Sequence, residues 1–234
     1  MPERQAASAV IAAAGSGDRL GAGGPKAFVP LAGRPMVGWS LEAFRRAERV
    51  GPIVVAVPPS LDARLDDGIV VVAGGPHRSA SVAAALERVE TELVAVHDAA
   101  RPLVTAELID DLIEELSARP DTAGVIAAAP LTDTVKRARE QRTAEGELPR
   151  VATIAETVSR DHLWAAQTPQ VFRVAALREA LDADPQGATA TDEAMLVEKA
   201  GGQVLIHPSS PENLKVTTSL DLRLAELLLA ERNR

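Results

Sequence analysis

The chain of 234 residues suits one large domain or two small ones, at roughly 100–200 residues per domain. Hydrophobic residues make up 46% and charged residues 25%, ample for a core, and with three Phe, two Trp and no Tyr that core must be aliphatic. A net charge of −8 argues against a broad nucleic-acid face, and the absence of Cys excludes disulfides, thiolate nucleophiles and zinc knuckles. The opening MPERQAAS is too polar and short for a secretory signal, and no apolar stretch approaches the roughly 18 residues of a membrane span. The expectation is a soluble, cytoplasmic protein without membrane or nucleic-acid partners.

Short aliphatic runs take turns with amphipathic stretches along the chain. Residues 8–14 (SAVIAAA) read as a first strand and run into a glycine-rich loop; residues 36–47 read as a helix. Runs at 53–58 and 69–73 are strands, 79–89 a helix, 93–97 a strand. In 107–116, Leu108, Ile109, Leu112, Ile113 and Leu116 fall on one helical face. A fifth strand at 124–130 follows, then helices at 173–183 and 192–200. In the last helix Leu220, Leu224, Leu227 and Leu228 follow the spacing of one apolar face, and Thr218 with Asp221 resembles a capping box. The strands are apolar throughout, as expected where helices cover both faces of a parallel sheet, and the alternation predicts an α/β fold with ligands at the strands' carboxyl ends. One segment breaks the rhythm. Residues 136–148 (KRAREQRTAEGEL) are highly charged with no strand signal, and 151–160 alternate weakly; the pair is either a solvated loop or a projecting hairpin arm that needs a partner surface. No repeat or interdomain linker is visible.

The loop AAAGSGDRLGAGGPK (12–26) directly follows the first strand, where a phosphate cradle belongs. Gly15 and Gly17 allow close backbone approach and positive φ angles, so that consecutive amides form an anion-binding nest. Arg19 and Lys26 add cations at its ends. A dinucleotide fingerprint is disfavoured because the third glycine is misplaced, and the ending of an ATPase loop is missing. A plain glycine-rich turn remains open, although it leaves unexplained the rigid Pro25 set before a lysine. Asp98, at the end of a strand in HDAARP, is suited to a ribose hydroxyl or a metal, or to an ordinary capping role.

The ordered set GGPHRSASV (74–82), VHDAARP (96–102), DTVKR (133–137), QTPQVF (167–172), ATDEA (190–194) and NLKVTT (213–218), together with the glycine loop, resembles the 2-C-methyl-D-erythritol 4-phosphate cytidylyltransferase family. The resemblance covers nearly the whole chain. It implies a Rossmann-like, mostly parallel sheet with helices on both faces, forming a single nucleotidyltransferase domain over 1–234. A β-arm for dimerisation would project at about 135–160. The implied reaction moves CMP from CTP to the methylerythritol phosphate. Its nucleophile is already ionised, so no general base is needed.

By resemblance Arg19, Lys26 and Lys215 are catalytic. Ala13, Ala14, Gly15, Ser16, Gly17, Gly75, Ser81 and Asp98 bind CTP, with Arg78 bracing the base loop. Asp98, Arg101, Thr134, Arg160, Thr168 and Thr191 bind the acceptor. In the family the residues matching Thr134 and Arg160 come from the neighbouring subunit's arm, which implies a homodimer. Magnesium is the implied cofactor, held mainly by the nucleotide phosphates and not by protein ligands. Asp18 stands where some relatives carry a second basic residue, and Pro76 removes a backbone donor from the base loop. A cytidylyltransferase for another polyol phosphate such as ribitol 5-phosphate, an NAD-dependent oxidoreductase and a non-catalytic nucleotide-binding protein are the alternatives.

Overall fold

A computed structural model of the chain describes residues 7–15, 17, 24–61, 65, 68–139, 151–184 and 190–232. Its first half runs β1 (Ala7–Ala12), a 3-10 turn at Lys26–Phe28, a small hairpin of β2 (Pro30–Leu31) and β3 (Arg34–Pro35), α1 (Met36–Arg46), β4 (Val50–Val57), β5 (Ile69–Ala73), α2 (Arg78–Leu86), β6 (Leu93–Asp98) and α3 (Ala106–Ser117). The second half runs β7 (Gly124–Pro130), β8 (Val135–Ala138), β9 (Ile154–Val158), β10 (Trp164–Arg173), α4 (Val174–Ala183), α5 (Glu193–Lys199), β11 (Val204–Pro208) and α6 (Ser219–Arg232). Seven strands share one sheet in the order β11-β7-β10-β6-β1-β4-β5. All run parallel except β10, which is antiparallel to both of its neighbours. Strand order reverses beside β1: the chain moves outward through β4 and β5, then returns to place β6 on the other side. The carboxyl ends of β1 and β6 therefore open on the crevice where α/β sheets take ligands.

Neighbouring residues of the central strands point to opposite faces, and each face has its own core. On one, Ile11, Val55 and Ala95 pack with Val37, Leu41 and Phe44 of α1 and with Ile109, Leu112, Ile113 and Leu116 of α3. On the other, Val10, Val54 and Val94 pack with Val82 and Leu86 of α2, Leu177 of α4 and Leu196 of α5. Two-sided cover explains why the strands do not alternate. Helix α3 starts where the Thr105 side chain accepts the Leu108 N–H at 3.3 Å, one turn before that buried stripe. β5 is an exception to full cover: it lies at the sheet edge, and Val70 and Val71 stay 39% and 38% exposed.

Three features depart from the sequence reading. Strand β10 was not expected. The sequence of β10, WAAQTPQVFR, hides a strand behind Gln, Thr and Pro. Pro169 is accommodated because pairing with β7 is interrupted between Ala166 and Gln170, while pairing with β6 begins only at Gln170. Secondly, the charged segment does begin with a strand. After β7 pairs Pro130 with Trp164, Leu131 N donates to Leu163 O at 3.2 Å, and β8 then pairs antiparallel with β9 from Val135 and Val158 onward. The arm is thus the far end of the β7–β10 hairpin. Every residue of β8 and β9 is exposed except half-buried Val135 and Val158, and residues 140–150 lie outside the described residues.

The third correction concerns α6. Its capping box forms as read: Asp221 N donates to Thr218 Oγ1 at 3.2 Å, and Asp221 Oδ2 accepts from the backbone of Thr217 and Thr218, both at 2.8 Å, and from the Thr217 hydroxyl at 2.6 Å. These bonds, led by the Thr217 hydroxyl and opposed by slight burial, lower the Asp221 carboxyl to about 2. The inward face, however, is Ala225 and Leu229, packed on Leu31, Leu103 and Val216. Leu220, Leu224 and Leu227 are 65%, 44% and 64% exposed. Leucines occupy several faces of this helix, so spacing alone does not single out the buried one.

Candidate active site

A cleft of about 500 Å³ opens at the carboxyl ends of β1 and β6. Ala13, Ala14, Gly15, Gly17 and Lys26 line it from the first loop, and Gly75 to Arg78 with Ser81 line it from the turn into α2. Asp98, Lys215 and Thr217 complete the lining described below. Lys26 N donates to Gly15 O at 3.2 Å, which folds the glycine loop back on its own start. Gly17 lies at φ +79°, and a Cβ there would stand 2.9 Å from Lys26 Cβ and 3.1 Å from Gly24 O. Gly15 differs from expectation: its φ is not positive, and an added Cβ would meet nothing among the described residues within 4 Å. Backbone strain therefore demands glycine at 17 only. Ser16 and Arg19 lie outside the described residues.

The base-loop glycines are fixed by close approach. A Cβ on Gly74 would fall 2.5 Å from Ala14 Cβ, and one on Gly75 would fall 2.5 Å from Ala80 Cβ. Gly75 N donates to Ser81 Oγ at 3.1 Å, while the Ser81 hydroxyl donates to His77 O, also at 3.1 Å. With its hydrogen committed, Ser81 can offer the cleft only an acceptor lone pair.

Charge in the cleft is organised around Asp98. Its Oδ1 accepts from Arg78 Nε at 2.7 Å and its Oδ2 from Lys215 Nζ at 2.6 Å. Arg78 Nη1 in turn donates to Glu193, a fully buried carboxylate in the first turn of α5. Burial would raise the Asp98 pKa, but the charges of Arg78 and Lys215 outweigh it and hold the carboxyl far below its ordinary range. For Arg78 the two carboxylates likewise outweigh burial and raise its pKa. Burial dominates at Glu193 and raises its pKa despite the guanidinium.

Behind Asp98 lies a neutral network. His97 is fully buried, and burial lowers its pKa to about 3. Its Nε2 stands 3.2 Å from Arg101 O and 3.3 Å from Ser40 Oγ. A carbonyl only accepts, so Nε2 carries the proton and Nδ1 accepts from the Thr168 hydroxyl at 3.0 Å. Thr168 Oγ1 then accepts the Asp98 N–H at 3.1 Å. Thr168 is thereby placed at the site from the interrupted stretch of β10, but its one hydrogen points inward.

Of the expected acceptor ligands Asp98 lines this cleft; Thr168 and the others do not. Arg101 donates Nη1 to Asn213 O at 2.7 Å and Nη2 to Ala166 O at 3.1 Å, tying the Lys215 segment to β10. Thr191 is exposed, its hydroxyl 3.9 Å from Met195 Sδ. Thr134 and Arg160 are exposed at the base of the arm. Glu193 escaped the sequence reading although it lies in ATDEA, because a glutamate in a helix's first turn ordinarily faces water.

A crevice of this form, with backbone amides and lysines converging from separate segments, is suited to a nucleoside triphosphate open to attack by a second anion. Fold and site define an enzyme of the nucleotidyltransferase class. Known proteins narrow this: the family model for 2-C-methyl-D-erythritol 4-phosphate cytidylyltransferase (IspD) matches residues 7–231, and the chain belongs to that family. The enzyme of that name from Symbiobacterium thermophilum is 39% identical over 234 aligned residues, 97% of this chain and 94% of the relative. The one from Frankia casuarinae is 49% identical over 109 residues, covering 44% of this chain and 41% of the relative. The crystal structure of the Thermus thermophilus enzyme superposes with a TM-score of 0.76 at 33% identity, over 95% of this chain and 98% of that one.

Proposed function

We propose that this chain transfers the cytidylyl group of CTP to 2-C-methyl-D-erythritol 4-phosphate in isoprenoid synthesis, and that the cleft described above carries the reaction. An acceptor phosphate oxygen attacks the α-phosphorus of CTP. A new P–O bond forms as the bond to the bridging oxygen breaks, and pyrophosphate leaves. The difficulty is the meeting of two polyanions on a protein of net charge −8, so the attraction must be local. The observation that carries the reading is the arrival of Lys26 and Lys215 at one cleft from segments far apart in sequence, beside the amides of the glycine loop. These groups, with Arg19, stabilise charge gathering on the α-phosphate and the leaving group. Ser81, restricted to accepting, suits the amino group of cytosine and not the carbonyl of uracil.

Magnesium fits this site as a passenger of the nucleotide. Among the described residues no group of three or more His, Asp or Glu could hold a metal, and Asp98 is the one carboxylate lining the cleft. A hard cation bound by substrate phosphates with a single protein carboxylate in reach matches how magnesium is commonly held. It would neutralise phosphate charge. Asp98, for its part, holds Lys215 at the cleft wall.

Thr134 and Arg160 serve the acceptor from a partner copy's arm in a homodimer, a reading supported by their exposure and by their absence from the lining of their own chain's cleft. No helix among the described residues is long and apolar enough to cross a membrane, and a cytoplasmic location accompanies the proposal.

Pyrophosphate release with magnesium and CTP or UTP, and with methylerythritol phosphate or ribitol 5-phosphate as acceptor, tests the reading. Release is expected with CTP and methylerythritol phosphate. Preference for ribitol 5-phosphate would overturn the acceptor, and release without CTP selectivity the base assignment. Lys26→Ala is expected to stay folded and lose a few hundredfold in turnover, about 3–4 kcal/mol of transition-state stabilisation.

A further inference from the structure

Glu193 is 0% exposed, an unusual place for a glutamate unless it is paired. Among the described residues its bond is to Arg78 Nη1; its other oxygen, Oε1, is buried without a partner. Arg78 uses Nε on Asp98 Oδ1, yet Nη2, which stands beside Nε on the same edge of the guanidinium, is also buried without a partner. An arginine beside a carboxylate ordinarily completes a two-pronged pair through such an edge. Here it does not: Asp98 Oδ2 is held by Lys215 instead, at 2.6 Å. The half-made fork is the informative feature, because Glu193 engages Arg78 from the far end and keeps it from turning fully onto Asp98.

We propose that Glu193 is a positioning residue for this enzyme: by holding Arg78 from behind it leaves Asp98 Oδ2 to Lys215, and so fixes where the Lys215 ammonium stands in the cleft. The four side chains alternate in sign, and each is fixed by the next. Remove the first charge, and Arg78 closes on both oxygens of Asp98 and releases Lys215 from its station. The inference rests on the reading of Lys215 as a catalytic group.

A double-mutant cycle on pyrophosphate release tests it, using Glu193→Gln, Lys215→Met and the pair. Glu193→Gln keeps the side chain's volume and one acceptor while removing the charge. Its kcat is expected to fall about tenfold with the CTP KM changed less than about threefold, and this loss should vanish in the Lys215→Met background. Arg78→Lys, which replaces the planar fork by a single ammonium nitrogen and so cannot reproduce separate Nε and Nη1 bonds to Asp98 and Glu193, should show the same dependence on Lys215 and serves if Glu193→Gln does not fold. Wild-type kcat in Glu193→Gln, or a loss of equal size with and without Lys215, would overturn the proposal and leave Glu193 a structural charge. If Lys215→Met alone has no effect, the catalytic assignment of Lys215 fails first, and the proposal falls with it.

Discussion

Gly17 and Gly15 look interchangeable in sequence but answer to different constraints. A side chain at 17 must adopt φ +79° and approach Lys26 Cβ to 2.9 Å, whereas one at 15 meets no atom of the described residues within 4 Å. Gly17→Ala therefore strains the loop by about 1–2 kcal/mol and is expected to raise the CTP KM about tenfold or more. Gly15→Ala should leave thermal stability unchanged, so any rise in its KM reports how closely the triphosphate passes. Steady-state kinetics and a melting curve on both variants separate the cases. His97 supports a different test. Its pKa, lowered by burial to about 3, lies below the ordinary value near 6.5, so the unfolded chain binds a proton that the folded chain refuses. Stability is thus full above about pH 6.5 and is lost as pH falls towards 3, by up to about 1.4 kcal/mol per pH unit. Glu193, raised by burial, acts in the opposite sense above the ordinary carboxylate range. His97→Gln isolates the first effect: urea unfolding between pH 7 and 4.5 should be less pH-dependent in the variant, and equal slopes would contradict it.

Among the elements, α6 joins stability to the site most directly. Asp221 caps the helix and also takes both the N–H and the hydroxyl of Thr217, which lines the cleft two residues after Lys215. Asp221→Ala should cost about 1 kcal/mol, as loss of a cap does. The melting temperature should fall by about 2–4 °C. Turnover should drop as well, because the Lys215 segment loses its downstream anchor; Asp221→Asn, which retains an acceptor, should recover most of the stability. That cap was legible in Thr218 and Asp221 because it is local. The helix's buried face was not: of Leu220, Leu224, Leu227 and Leu228, Leu228 alone packs against the core, and contact with Leu31, Met36, Leu103 and Val216 instead selects the side carrying Ala225 and Leu229. The same division separates β1, β4 and β6, whose apolar runs declare them, from β10. There Thr168 and Pro169 occupy an unpaired stretch whose purpose, reaching Asp98 and His97, appears only when the strand lies beside β6.

At the scale of the whole molecule, the motifs in chain order were enough to find the cleft, because strand ends at a reversal of sheet order gather loops that are distant in sequence. Within one chain, Thr168 and Arg101 spend their hydrogen bonds on the protein, and Thr134 and Arg160 stand exposed at the base of the arm. The arm's position at the far end of the β7–β10 hairpin gives it reach, and a two-stranded ribbon with nearly every side chain in water gains little by itself. If a partner's arm completes each site, Lys26 and Arg160 of one working site belong to different chains. Lys26→Ala and Arg160→Ala homodimers would then both be impaired. In a heterodimer of the two, one site collects both lesions and the other collects neither. Random exchange makes about half of the dimers mixed, each with one intact site, so activity should recover to about a quarter of wild type. If each chain's own arm served its own cleft, every site in the mixture would retain one lesion and mixing would restore nothing. Unfolding and refolding the two variants together, followed by a pyrophosphate-release assay, distinguishes these outcomes.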